Sequence, residues 1–209
     1  MFRQFLADRR CERVITVVGD GNAGKTAFLD ASLRYARSAG IRTCHWNLKG
    51  STPLSTVFDR VRRSFDEQLL PRFFRATASQ ADQALFEDLR QLSEPILFVI
   101  DHFEQGAPEV KDLLTQSWLP LADQFSLCRF LIGGREVPSS QGEGWTHDEH
   151  RLELSPIPLE DWYSYTQRVP KLKILSREQL ETIVSLFAEP GTVAGLIHRL
   201  AAKSAGGGH

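Results

Sequence analysis

The stretch 17-VVGDGNAGKTAF-28 decides how the rest of the chain is read. Its core, 19-GDGNAGKT-26, fits the pattern Gly, four residues, Gly, Lys, then Ser or Thr. Gly19 and Gly24 permit backbone conformations that a Cβ forbids and let the chain wrap closely around a ligand. Main-chain amides from about Gly21 to Thr26 can turn toward oxygens, and a helix starting near Lys25 aims its positive end at the same place. Lys25 then reaches the terminal phosphates of a nucleotide, and the Thr26 hydroxyl supplies a ligand for Mg²⁺. Gly19, Asp20, Gly21, Asn22, Ala23, Gly24, Lys25, Thr26 and Ala27 are therefore the expected phosphate-binding residues. Composition alone yields this pattern in roughly 1% of random chains of this length. A chance match would not also need its flanks to be right. Here 13-RVITVVG-19 is apolar, β-branched and short, as a buried strand is, and 25–38 place Phe28, Leu29, Leu33 and Tyr35 at roughly helical spacing.

A phosphate loop needs a partner carboxylate for its metal, usually at the end of a hydrophobic strand. The segment 96-ILFVIDHFE-104 supplies one. Its start is apolar on both faces, as in the middle of a parallel sheet. Asp101 falls at the carboxyl end of that strand, where open parallel sheets bind ligands, and is expected to hold Mg²⁺ through its water shell. Glu104 is the candidate to polarise an attacking water, against the alternative of a solvated loop carboxylate. His102 reads as structural rather than catalytic. The strand 128-CRFLIGG-134 is followed by Arg135, which would face a γ-phosphate and stabilise transferring charge; the alternative is a surface salt bridge with Glu136 or Glu104.

Between and beyond these segments lie a strand at 41–48, helices near 53–65 and 78–92, a mixed stretch at 66–77 and a helix at 107–119. A polar loop covers 136–149, a last strand 150–155, and helices fill 158–168, 176–188 and about 191–203. Alternating strands and helices followed by helices alone predict a three-layer α/β domain and a small helical subdomain. The expected division is a core at 1–156, a helical lid at 157–205 and a disordered tail at 206–209.

The 209 residues are 42% hydrophobic and 24% charged, with no apolar run long enough for a membrane span. The first residues do not read as a signal peptide. Cys11, Cys44 and Cys128 are widely spaced and odd in number, so neither a disulfide framework nor a metal site is implied, and a cytoplasmic location is expected. His147 and His150 lack a third ligand in the sequence around them. Trp46, Trp118, Trp145 and Trp162 are scattered and suggest no base-stacking platform, so nucleic acid is not an expected partner. Residues 1–75 nevertheless carry 14 Lys and Arg against 7 Asp and Glu, whereas the whole chain carries 25 against 26.

The phosphate loop, 97-LFVIDHFE-104, 129-RFLIGGRE-136 and 152-LELSPIPLEDW-162 together resemble the STAND class of P-loop NTPases, relatives of the AAA+ proteins that act in signalling and defence. The resemblance covers about residues 2–200 in order of elements, with only the phosphate loop highly specific. It implies a sheet ordered 5-1-4-3-2, slow ATP hydrolysis coupled to a conformational switch, and often homo-oligomers or fused effector and sensor domains. Two departures stand out. The Gly-x-Pro that usually touches the base is replaced by Gly191-Thr192-Val193, and the 209 residues hold no winged-helix segment.

The reading is thus an ATP-binding regulatory module with slow or conditional hydrolysis, in which Lys25, Asp101, Glu104 and Arg135 carry the chemistry and Thr26 and Asp101 hold Mg²⁺. The absence of a guanine-reading Asn/Thr-Lys-x-Asp pattern favours ATP over GTP. The alternatives are a nucleotide-bound scaffold that does not hydrolyse, a nucleoside or small-molecule kinase, and, as a weaker option motivated by the basic first part of the chain, a DNA-dependent ATPase. The kinase is disfavoured because Arg168, Arg177 and Arg199 are too spread for an Arg-rich lid.

Overall fold

A computed structural model describes residues 13–21, 23–139, 151–173, 175–187 and 190–206. Asn22, Trp145, His147 and His150 lie outside these residues. The described residues fall into two compact units: one holds the sheet and its helices through Glu153, the other joins Gly19–Ala27 to the segment from Leu154 onward.

In the first unit, five parallel strands are ordered β2-β3-β4-β1-β5, the 5-1-4-3-2 order that the family resemblance implied. They are β1 (Val14–Val18), β2 (Arg42–Asn47), β3 (Ile96–Asp101), β4 (Cys128–Gly134) and β5 (Arg151–Glu153). The registers run Val14↔Phe130 through Val18↔Gly134 and Arg42↔Ile96 through Asn47↔Asp101. β1, β3 and β4 are buried along their whole length, as apolar strands inside a parallel sheet must be.

Alternation along the strands sorts side chains onto two unlike faces. One face carries Cys44, Trp46, Phe98, Ile100, Phe130 and Ile132, packed with Val57, Val61, Phe65, Leu114 and Trp118. Its centre is aromatic: Phe98 stacks on Phe130 at 5.5 Å and meets Trp46 edge-on at 5.2 Å. Such pairs add about 0.5–1.5 kcal/mol each beyond the area they bury. The other face carries Ile15, Val17, Leu97, Val99, Leu131 and Gly133, all small or aliphatic, and ends in Asp101. Helix α1 (Lys25–Ser38) lies on this face, for a Cβ on Gly133 would meet Leu29 Cδ1 at 2.7 Å. Glycine is what lets that helix approach so closely.

Helix α2 (Leu54–Ser64) follows β2 and buries Val57, Phe58 and Val61. The mixed stretch 66–77 contains a short helix, α3 (Pro71–Arg75). Pro71 is at its first turn, where a missing N–H costs nothing. Asp88 of α4 (Ala81–Arg90) is almost fully buried and accepts a 2.9 Å hydrogen bond from the Phe73 amide, so a side chain from a later helix satisfies an orphan donor of α3. After β3, α5 (Pro108–Asp112) continues through a π-helical stretch at Leu113–Trp118 that buries Leu113, Leu114 and Trp118. The Trp118 indole N–H donates to Asp82 at 3.1 Å.

In the second unit, α6 (Leu159–Arg168), α7 (Arg177–Leu186) and α8 (Pro190–Gly206) enclose Trp162, Leu172, Leu180, Ile183, Val193 and Ile197. Ser176 caps α7 reciprocally with Gln179, worth about 1 kcal/mol. Of the apolar residues around α7, Leu175, Leu180 and Ile183 are core, whereas Leu186 is 69% exposed. No helix among the described residues is long and apolar enough to cross a membrane.

Candidate functional site

Because the strands are parallel, their carboxyl ends share one edge. The glycine-rich segment leaves the sheet at Val18; Gly134 ends the neighbouring strand and Asp101 ends the strand beyond it. Val18, Asp101 and Gly134 thus end at one edge of the sheet, the edge at which open α/β sheets bind ligands.

The loop itself is tight. Ala23 N–H donates to the Asp20 carbonyl at 3.2 Å, closing a turn. Gly24 has φ +88°, a left-handed conformation that only glycine adopts without strain. A Cβ on Gly19 would fall 2.5 Å from the Leu154 carbonyl oxygen. The two glycines of the pattern therefore answer different needs, conformation at 24 and clearance at 19. The Lys25 ammonium donates at 2.7 Å to both the Gly19 and Asp20 carbonyls, so the loop's own backbone holds its cation. α1 begins at Lys25, as the sequence predicted, and Thr26 is its exposed second residue. At the other end of the same unit, a Cβ on Gly24 would be in ordinary contact, 3.6 Å, with Pro190 Cγ. The expected Gly-x-Pro proline is absent, yet a proline stands one residue before Gly191, beside the loop.

Asp101 is 1% exposed and lies on the α1 face of the sheet. Its Oδ1 accepts from the His102 amide at 2.8 Å. His102 takes φ +58°, which costs a non-glycine residue about 1–3 kcal/mol and is tolerated where the surroundings enforce it. Its Nδ1 is 3.3 Å from Asp101 Oδ2 but is not aligned for a hydrogen bond. His102 thus turns the chain sharply beneath the carboxylate. His45 of β2 shares that face, with its Nε2 buried and without a hydrogen-bond partner; burial lowers its pKa, while Asp101 and Asp30 pull it upward.

Glu104 is half-buried rather than solvated. Its Oε2 accepts from the Arg135 main-chain amide at 3.0 Å. The carboxylate passes over Gly134, where a Cβ would lie 2.7 Å from Oε2 and 2.4 Å from the Glu136 carbonyl oxygen. The glycine pair of RFLIGGRE is therefore a packing device, one glycine for Leu29 and one for Glu104, which the sequence reading passed over. The Arg135 side chain is exposed and no ion pair to it is found among the described residues; Glu104 accepts from its main-chain amide.

Taken one by one, the Asp101 carboxylate and the Thr26 hydroxyl are hard oxygen donors, the chemical type that Mg²⁺ accepts. Among the described residues no group of three or more His, Cys, Asp or Glu forms a separate metal cage. Trp46, Trp118 and Trp162 are all core residues.

Neither a family model nor a curated protein matches the sequence. Solved structures do. The chain is similar to Cdc6p from Pyrobaculum aerophilum, with TM-score 0.66, 14% identity, and coverage of 99% of this chain and 59% of that one. It is similar to AMPPCP-bound DnaA from Aquifex aeolicus, with TM-score 0.54, 13% identity, and coverage of 98% and 60%. It is also similar to the Aeropyrum pernix ORC2 protein in its ADP form, with TM-score 0.51, 16% identity, and coverage of 90% and 54%. The chain spans a little over half the length of these proteins. At such identities the likeness is one of fold: a five-stranded parallel sheet with flanking helices that matches the AAA+ P-loop NTPase fold.

Proposed function

We propose that this chain is a nucleotide-switch module that binds ATP with Mg²⁺ and hydrolyses it slowly or on condition. The observation that carries the proposal is the glycine-rich loop between β1 and α1, with its left-handed Gly24 and lysine-closed turn, on a sheet whose third strand ends in a buried aspartate. Gly19 to Ala27 surround the phosphates through their amides. Lys25 exchanges its two carbonyl partners for phosphate oxygens, a change from neutral to charge-assisted acceptors that strengthens each bond. Thr26 and Asp101 hold the magnesium, which screens the phosphate charge when bound.

Glu104 orients water through Oε1, whose own partner is a long, 3.5 Å hydrogen bond from the Gln105 side-chain amide, because Oε2 accepts the shorter bond from the Arg135 amide. The same bond links Glu104 to the residue proposed to read the γ-phosphate, since Arg135 N–H and its guanidinium belong to one residue at the end of β4. This is a physical basis for conditional turnover: any shift of Arg135 toward phosphate moves the carboxylate. Two of the solved relatives are described with AMPPCP or ADP bound, which supports a nucleotide ligand. Action in signalling or defence, with assembly or partner domains, rests on the STAND resemblance.

ATP binding and hydrolysis by the wild type and Lys25→Ala test the proposal. The variant is expected to lose about 100-fold or more in nucleotide affinity or turnover, the usual cost of deleting a preorganised charge donor. Equal ATP–Mg²⁺ binding by the two proteins contradicts it. Binding without turnover, unchanged by Glu104→Gln, would instead establish the non-hydrolysing scaffold.

A further inference from the structure

β2 is an edge strand among the described residues, and its open side is electropositive in a way that the nucleotide site does not use. Arg37 of α1 reaches one end of it, donating through Nε to Thr43 Oγ1 at 3.0 Å. Arg60 of α2, from the opposite face of the sheet, reaches the other end and donates to the Asn47 carbonyl at 2.8 Å. His45 lies between them in the strand, and both guanidiniums act on its ring. Arg34 and Arg63 stand three residues from Arg37 and Arg60, hence on the same helix stripes, and both are exposed. Lys49 extends the row past the end of β2.

None of these five cations has a carboxylate partner among the described residues. The pattern is specific to this end of the edge. Arg42, at the start of β2, is neutralised by Asp66 and Glu94, and Arg62 leans toward Asp59. Asp30, one turn before Arg34, and Asp59, one turn before Arg63, are the opposing charges on these two helices.

We propose that this edge, with Arg34 and Arg37 on one side and Arg60 and Arg63 on the other, binds the phosphodiester backbone of a nucleic acid. Two features favour that partner over an acidic protein. Protein interfaces draw their affinity from buried apolar anchors at their centre. The large exposed apolar residues of the described chain are Leu121, Ile157, Tyr165, Leu186, Phe187 and Leu200, and none belongs to β2, α1 or α2. Backbone recognition needs no such anchor, because its affinity comes from cations that release counterions. Four of the five cations are arginines, whose planar fork matches phosphate oxygens. From Thr43 to Asn47 the strand runs about 13 Å, and a duplex carries a charge every ~1.7 Å, so several phosphates face the row at once.

The test is fluorescence anisotropy on the full chain with a labelled strand of about 30 nucleotides, single or double, across salt from about 50 to 200 mM, where backbone binding falls steeply. Arg34→Gln/Arg63→Gln is the informative variant, since neither side chain has an ion-pair partner among the described residues and its melting point is expected to stay unchanged. Binding by the wild type to either strand form, weakened about ten-fold in the variant and with the salt slope reduced by about 2, supports the proposal. Lys171→Gln/Lys203→Gln, in the C-terminal helices, is expected to bind as the wild type does. No salt-dependent binding to either form, equal binding by the arginine variant, or equally tight binding of polyglutamate overturns it.

Discussion

The two faces of the sheet are built to opposite specifications. The α2 face has an aromatic centre: Trp46, Phe98, Trp118 and Phe130 touch in sequence, with Arg42 at its margin and the buried Asp88 tied to the Phe73 amide. The α1 face is otherwise aliphatic, narrowed to glycine at 133, and carries the buried Asp101 and Arg129 and the half-buried His45. Burying an ionisable group costs stability unless it is compensated, and His102 adds a left-handed residue beside it. The aromatic face therefore supplies stability that the α1 face consumes in holding chemistry at the carboxyl edge.

The sharpest way to break this division is Phe98→Ala. Truncating a fully buried phenylalanine in contact with Trp46, Phe65 and Phe130 is expected to cost about 3–5 kcal/mol in denaturant unfolding, without altering nucleotide affinity of the folded fraction. A loss under ~1 kcal/mol would show that the face is not the stabilising one. Next in size is Gly134→Ala. Its Cβ meets a main-chain oxygen at 2.4 Å and the Glu104 carboxylate at 2.7 Å, so backbone must shift. Unfolding measurements should show a loss of about 1–3 kcal/mol, and single-turnover hydrolysis should fall with it, because Glu104 is displaced. Reduced stability with unchanged hydrolysis would separate Glu104 from the chemistry.

Smaller still is the pH dependence, in which the faces differ in sign. Burial pushes the Cys44 thiol up to about 11, and Cys128 is raised as well; both belong to the aromatic face. The unfolded chain loses these protons near pH 9 while the fold keeps them. Stability is thus complete below about pH 9 and declines above it by at most about 1.4 kcal/mol per pH unit per thiol. His45 on the α1 face is shifted down by burial, so only the unfolded chain gains its proton below about pH 6.5, and stability falls there. The pull of Asp101 and Asp30 makes the acid side the shallower one. Cys44→Ala should flatten the alkaline limb of the stability–pH curve and His45→Gln the acid limb; the reverse pattern would contradict the assignment.

Much of this was legible in the sequence, and the reason is physical. Parallel strands buried on both faces read as unbroken apolar runs, so ITVV, ILFVI and FLI announce themselves and their ends locate Asp101 and Arg135. The glycine–lysine loop is legible because its pattern encodes a conformation. What stayed hidden depends on distant partners. Nothing near Gly134 reveals that a carboxylate from 30 residues earlier lies across it. The helix at Pro71–Arg75 is too short to show a period, and its tie comes from Asp88 on another helix. The basic β2 edge escaped because Arg34, Arg37, Arg60 and Arg63 sit on two helices that only the fold brings to one strand. Leu186 and Phe187 have the same apolar signature as Ile183, yet only the latter is core.

The central claim is that the phosphate loop and Asp101 serve one magnesium–nucleotide. Thermal-shift titration of the wild type and Asp101→Asn with ATP, ADP and GTP, each with and without Mg²⁺, tests it most directly. The melting point should rise with ligand as RT ln(1 + [L]/Kd). The account requires a larger rise with ATP when Mg²⁺ is present, and loss of that Mg²⁺-dependent increment in Asp101→Asn. A wild type unmoved by every nucleotide, or a variant that keeps the full increment, would contradict it.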